Sequence, residues 1–136
     1  MGRILGIDYG DSRIGLALSD PKKIIASPYK TVKSKDKQKL IDIFNSIIKE
    51  KNIEFLVIGL PISLKGRETL QTKKVKVFGE FLKKFNKPIF FQDERFSSIT
   101  AENSLISENI KTGHNKDKID KRAAAIILQQ YLDCSK

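Results

Sequence analysis

This chain predicts an α/β domain built on a mixed sheet, and three observations carry that prediction. It opens with two short apolar strands joined by a four-residue turn, which is a hairpin. From Asp36 onward strands and amphipathic helices alternate, the pattern that parallel crossovers produce. Its 136 residues, 40% hydrophobic and 31% charged, suit a single domain over 1–136 that can fill a core and still solvate its surface. A hairpin followed by alternation implies five strands, antiparallel on one side of the sheet and parallel on the other, flanked by helices.

The elements follow in order. Arg3 to Asp8 is a short strand of buried type, and Arg13 to Ser19 a second, with Tyr9-Gly10-Asp11-Ser12 between them supplying turn formers. Ile24 to Val32 is a third strand, which Pro28 makes irregular or confines to an edge. Between Asp36 and Lys51 the residues Leu40, Ile41, Phe44, Ile47 and Ile48 recur at helical spacing among polar ones, so an amphipathic helix is expected there. Ile53 to Gly59 reads as a buried strand. Thr69 to Phe85 reads as a helix with Val77, Phe78, Phe81, Leu82 and Phe85 inward, and Pro88 to Gln92 as the last strand. Ser97 or Ser98 caps a helix running to about Glu108. A polar loop from Asn109 to Lys116 follows, and Asp117 to Leu132 is the final helix.

Composition narrows the function. Lys and Arg number 26 against 16 acids, a formal charge of +10, and such a field favours polyanions, nucleic acid first among them. The excess is carried by lysine, 21 of the 26, so a lysine-biased composition accounts for part of it. The segment MGRILGIDYGDSR places acids and glycines where a secretory signal needs an unbroken apolar run, and a lone cysteine, Cys134, fits a reducing compartment; the expected location is the cytoplasm. With one histidine, His114, and one cysteine, zinc sites and Ser-His or Cys-His machinery lack parts. Gly6, Gly10 and Gly15 match neither a Walker loop nor the dinucleotide fingerprint.

Carboxylates are left as the chemistry. Asp8 closes an apolar strand, and the carboxyl ends of strands are where open α/β sheets gather ligands. A turn aspartate would bond its own backbone, but Asp11 and Ser12 already supply that. The strand ending at Gln92 runs into Asp93-Glu94-Arg95, and this strand is expected beside the first. Alternation sends Asp93 and Glu94 to opposite faces, so one faces Asp8 while the other pairs with Arg95 or caps the next helix. Glu94 has the longer reach. Asp120 lies in the first turn of a helix that soon becomes Ala123-Ala124-Ala125, small residues that permit close approach to the sheet. Converging carboxylates repel unless a cation lies between them, and oxygen-only ligation suits Mg²⁺ or Mn²⁺ and hence phosphodiester hydrolysis. Asp8, Glu94 and Asp120 are the candidate catalytic acids, and these with Asp93 the candidate metal ligands. Candidate contacts to a nucleic-acid backbone are Arg13, Lys65, Arg67, Arg95, Lys116 and Lys118.

Four blocks carry a resemblance. GIDYGDSRIGLALSD (Gly6 to Asp20), VIGLP with a following glycine (Val57 to Pro61, Gly66), DERFSSITAE (Asp93 to Glu102) and NKDKIDKRAAAIILQQYLD (Asn115 to Asp133) resemble, in order and spacing, the YqgF family. These are small bacterial proteins related to RuvC-type Holliday-junction resolvases. The resemblance implies an RNase H-like fold and a metal-dependent nuclease that processes the 5′ end of precursor 16S rRNA in ribosome maturation. It also implies a metal site of Asp8, an acid of the Asp93-Glu94-Arg95 block, and Asp120. The alternatives are a resolvase acting on DNA junctions and a weakly catalytic RNA-binding assembly factor. Phe96 departs from the leucine more usual after that block, and the extra acid of some relatives has no clear counterpart, Glu102 and Asp117 being the available substitutes. The GIDYG turn also resembles the phosphate loop of actin-like ATPases, which need two such domains where this chain has one.

Overall fold

A computed structural model describes residues 2–33, 36–61, 67–93 and 116–134, with backbone alone for 116–120. The elements are β1 (Arg3–Tyr9), β2 (Ile14–Ser19), β3 (Ala26–Val32), α1 (Lys37–Glu50), β4 (Ile53–Leu60), α2 (Leu70–Leu82), a 3₁₀ turn (Lys83–Phe85), β5 (Ile89–Asp93) and α3 (Lys116–Cys134). The helix expected from Ser97 or Ser98 to Glu108, and the loop after it up to residue 115, lie outside the described residues.

The strands form one sheet in the order β3-β2-β1-β4-β5. β2 runs antiparallel to β1 and β3, whereas β1, β4 and β5 are parallel to one another. One expectation is corrected here: β5 does not lie beside β1, because β4 lies between them. The reason is apolar content. β4 buries Ile53, Leu56 and Ile58 on one face and Val57 on the other, so it belongs in the interior of the sheet. β5 leaves Phe90 and Phe91 each 43% exposed and takes the flank. Pro28 does sit on the other edge strand, opposite Ala17, where the pairing with β2 slips by one residue.

β3 starts at Ala26 and not at Ile24, because the Asp20 carboxylate captures the two preceding amides, accepting from Ile24 N at 2.7 Å and Ile25 N at 2.8 Å. Those two bonds, Ile25 first, hold the Asp20 carboxyl below the ordinary aspartate range. A depressed carboxylate stabilises the fold at pH values above its unfolded pKa and loses that contribution as pH falls through the folded one. The melting-temperature gap between wild type and Asp20→Asn is therefore expected to be full at neutral pH and to close as the pH drops below about 4. A gap that stayed constant down to pH 3 would remove this role from the Asp20 charge.

α1 and α2 cover one face of the sheet and α3 the other. α1 is capped by Asp36, which accepts from Gln38 N at 2.9 Å, and buries Leu40, Phe44 and Ile47. α2 is capped by Thr69 and Thr72 reciprocally, and the buried Thr72 hydroxyl donates to the Pro61 carbonyl, fixing the helix start against the end of β4. The inward placement expected of Val77 is corrected: the buried stripe is Thr72, Val75, Phe78, Gly79 and Leu82, at helical spacing, and Val77 falls off it and is 69% exposed. The chain leaves the 3₁₀ turn through Asn86 at φ 57°. The core on this side is Leu5, Ile7, Leu16, Phe44, Leu56, Ile58, Phe78 and Leu82 with their neighbours. The opposite core is smaller: Ile4, Ala17 and Val57 against Ala124, Ile127, Leu128 and Leu132 of α3.

Candidate active site

Asp8 is the second-last residue of β1, paired with Gly15 of β2 and partly exposed. Leu5 and Ile7 belong to the core under α1 and α2, and Tyr9 packs against it, so alternation puts Gly6 and Asp8 on the face covered by α3. At Gly6 the helix comes very close. A Cβ there would lie 2.9 Å from Leu128 Cβ and 3.2 Å from the Ala124 carbonyl, so only glycine admits the helix at this distance.

The direction of α3 follows from its contacts. Tyr131 lies against Phe55, the partner of Ile4, with ring centroids 5.9 Å apart. Gln129 Oε1 accepts from Ala26 N at 2.9 Å, and Ala26 pairs with Ser19, whose hydroxyl bonds Ile4 N. Leu128 and Ala124 sit at Gly6, two residues further along β1. Going backwards along α3 therefore leads from the amino to the carboxyl end of β1, so the helix is antiparallel to the strand. Asp120 is one turn before Ala124, roughly 6 Å nearer the carboxyl end, and shares the helix face of Ala124 and Leu128. The fold thus brings the position of Asp120 to the end of β1 where Asp8 stands.

β5 contributes differently. Its Phe90 packs on Phe55 and Tyr131 on the α3 side, whereas Phe91 approaches Gly79 of α2. Alternation then places Gln92 on the Asp8 face and Asp93 on the α2 face, opposite Asp8. Gln92 pairs with Gly59, which puts no side chain between β1 and β5. The two strands are two spacings apart, about 10 Å, so an acid from the end of β5 needs reach to meet Asp8. Glu94 is the next residue and lies outside the described ones, as do Lys65 and Arg95. Among the described side chains no three acids, histidines or cysteines lie close enough together to hold a metal. Asp8 is the single acid of the expected set with a described side chain on this face; its oxygen donors suit a hard cation.

The four basic candidates with described positions stand at the same end. Arg13 stands immediately before β2, across the turn from Asp8, and its carbonyl accepts from Gly10 N at 2.9 Å. Arg67 is exposed between β4 and α2, and Lys116 and Lys118 begin α3. These positions surround the carboxyl ends of β1 and β4, where α/β sheets bind ligands. The bracing of the Asp8 turn escaped sequence reasoning. Gln71 Nε2 donates to the Tyr9 carbonyl at 3.3 Å, and Lys74 pairs with Asp11 at 3.2 Å. Both links join residues more than 60 positions apart, and no local pattern signals them.

The architecture is similar to solved structures. RuvC of T. thermophilus in complex with Holliday junction substrate superposes with TM-score 0.61 at 13% identity, covering 99% of this chain and 96% of that one. The Fowlpox virus resolvase with Holliday junction DNA does so with TM-score 0.57 at 15% identity, covering 98% of both. The chain accordingly has the RNase H-like fold, with an acid at the carboxyl end of its central strand. The family model described as "RuvX: Holliday junction resolvase" matches residues 2–134, and the chain belongs to that RuvX (YqgF) family. Relatives bearing the name "Putative pre-16S rRNA nuclease" include those of Dictyoglomus turgidum, 44% identical over 96% of this chain and 94% of its own length, and Clostridioides difficile, 42% identical over 97% and 94%. No helix among the described residues is long and apolar enough to cross a membrane.

Proposed function

We propose that this protein, acting as one domain over 1–136, is a nuclease dependent on Mg²⁺ or Mn²⁺ that trims the 5′ end of precursor 16S rRNA in the cytoplasm. The observation that supports the reading is Asp8 on the α3 face at the carboxyl end of β1, the end at which α3, packed on Gly6 and antiparallel to β1, begins. The names of the relatives point to the same substrate. Asp8, Glu94 and Asp120 would hold the cation, whose contribution when bound is positive charge against the phosphate oxygens and a more acidic water. The chain's own part is to fix the acids on a strand end and a helix, and to hold the RNA through Arg13, Arg67, Lys116 and Lys118, with Lys65 and Arg95 completing the set. A cleavage assay with and without Mn²⁺, on precursor rRNA and on a four-way DNA junction, tests the assignment. Preferential cut of the rRNA supports it. Preferential cut of the junction moves the protein to the DNA reading that the family description favours. RNA binding without cleavage leaves an assembly factor.

Asp93 and Glu94 separate under mutation. With Asp93 on the α2 face, Glu94→Gln is expected to abolish both cleavage and the rise in melting temperature on adding Mn²⁺, whereas Asp93→Asn keeps both. The reverse pattern, in the same assay and melts, would transfer the metal to Asp93.

A further inference from the structure

On the side of the sheet away from Asp8 lies a cleft of about 430 Å³, bounded by the β1–β2 turn, the start of α1 and the outer face of α2. Its volume falls in the range of small-ligand sites. Tyr9, Phe78 and Phe81 form its aromatic side as a stack, with centroids 4.4 and 5.5 Å apart and planes inclined by 29° and 19°. Lys37 and Lys74 stand on its rim with Asp11 and Ser12 of the turn, and Val77 is 69% exposed beside it. The lining carries two cations, Lys37 and Lys74, against the one anion Asp11, which pairs with Lys74. The acids described above make no use of this cleft.

The geometry points to a site for one unpaired nucleotide of an RNA strand, its base against the half-buried Tyr9 ring, which the buried Phe78 backs, and its phosphate at Lys37, with Lys74 held nearby by its pair with Asp11. Three features select that occupant. A base has an apolar face that aromatic side chains hold without regard to sequence. Cations at the rim meet phosphate, and a polar turn offers groups to a base edge. Asp8 and Tyr9 are also consecutive, so a strand held at Asp8 needs only to cross the end of β1 to lay its next base in the cleft. Paired bases cannot splay out in this way, so the cleft favours single-stranded over duplex RNA. The inference rests on the reading of RNA as substrate, but its readout is binding, not cleavage.

The test uses the full chain in EDTA, where cleavage plays no part. Anisotropy would follow an unstructured RNA dodecamer and a blunt duplex of equal phosphate number, with Val77→Glu and Lys37→Glu as variants at an exposed and a rim position. Val77→Glu is expected to weaken dodecamer binding about fivefold or more and duplex binding much less, since only the unpaired strand loses a stacked base. Methyl resonances of Val77 and Leu40 should shift on adding the dodecamer. Equal losses on dodecamer and duplex, or unmoved methyls at saturating dodecamer, would overturn the assignment. Shifts with adenosine monophosphate but not with the dodecamer would make the cleft a free-nucleotide site and equally end the proposal. A protein that fails to cut rRNA yet shows the selective loss keeps this site while losing the nuclease reading.

Discussion

Replacing Asp8 by Asn is expected to reduce cleavage of the preferred substrate by about a hundredfold or more, while the melting temperature of the metal-free protein holds or rises. The first half follows from charge. Asn preserves the shape of the side chain but removes a ligand charge, and a metal contribution of several kcal/mol corresponds to that factor or more in rate. The second half follows from repulsion. If Asp8 and Asp120 share the proposed site at the carboxyl end of β1, their carboxylates oppose each other in the metal-free form, and neutralising one relieves it. The Mn²⁺-induced rise in melting temperature should shrink in the same variant, because stabilisation by a ligand scales with its affinity for the native state. Wild-type cleavage by Asp8→Asn, with metal matched and contaminating nuclease excluded by a second purification, would remove Asp8 from the site. Unchanged cleavage by Asp120→Asn would dissolve the idea of a convergent set altogether.

The features that sequence revealed were those written in local patterns. The hairpin, both crossover helices and the final helix came from period and turn residues, and their ends shifted by one to three positions. α2 stopped at Leu82 because the 3₁₀ turn and left-handed Asn86 follow. β3 began late because Asp20 took two amides that a strand would have used. Strand order was harder. Two acidic strand ends invited the idea of neighbouring strands, and the insertion of β4 between them is decided by burial on two faces, a property of the whole sheet. The position of Asp8 at a strand end was legible from the apolar run before it, and the close packing of α3 on the sheet from Ala123, Ala124 and Ala125. The aromatic stack was not legible at all. Tyr9 comes from β1, where the sequence reads as a turn, and Phe78 and Phe81 come from α2, where they are core or packed against it as helical spacing predicts; their stacking across the two elements has no local signal.

The close approach at Gly6 joins fold to function, and Gly6→Ala is expected to damage both. Two effects compete. Alanine lowers the entropy of the unfolded chain and favours a strand, which stabilises by about 0.5–1 kcal/mol. Its Cβ would meet Leu128 Cβ at 2.9 Å and the Ala124 carbonyl at 3.2 Å, inside a layer whose other members, Ile4, Ala17 and Val57, are buried at 1% exposure or less. Overpacking of that kind costs about 1–3 kcal/mol, and backbone on the far side gives less than a flexible side chain, so the clash wins. A net loss of about 1–2 kcal/mol is several degrees in melting temperature for a chain of this size. Because α3 carries Asp120 toward Asp8, the helix that shifts to admit the methyl also displaces that acid, and cleavage should fall in the protein that remains folded. Leu128→Gly, which removes the Cβ that the new methyl would meet, distinguishes this account from a general intolerance of β1. Alone it should destabilise by more than the roughly 2–5 kcal/mol of a buried Leu→Ala change, because glycine also weakens the helix, but combined with Gly6→Ala the two should cost less than their sum, since the new methyl enters the space that Leu128 Cβ and Cδ2 vacate. Strict additivity in that cycle would mean that the Gly6–Leu128 contact does not set the height of α3 over the sheet, and the placement of Asp120 would then need another cause.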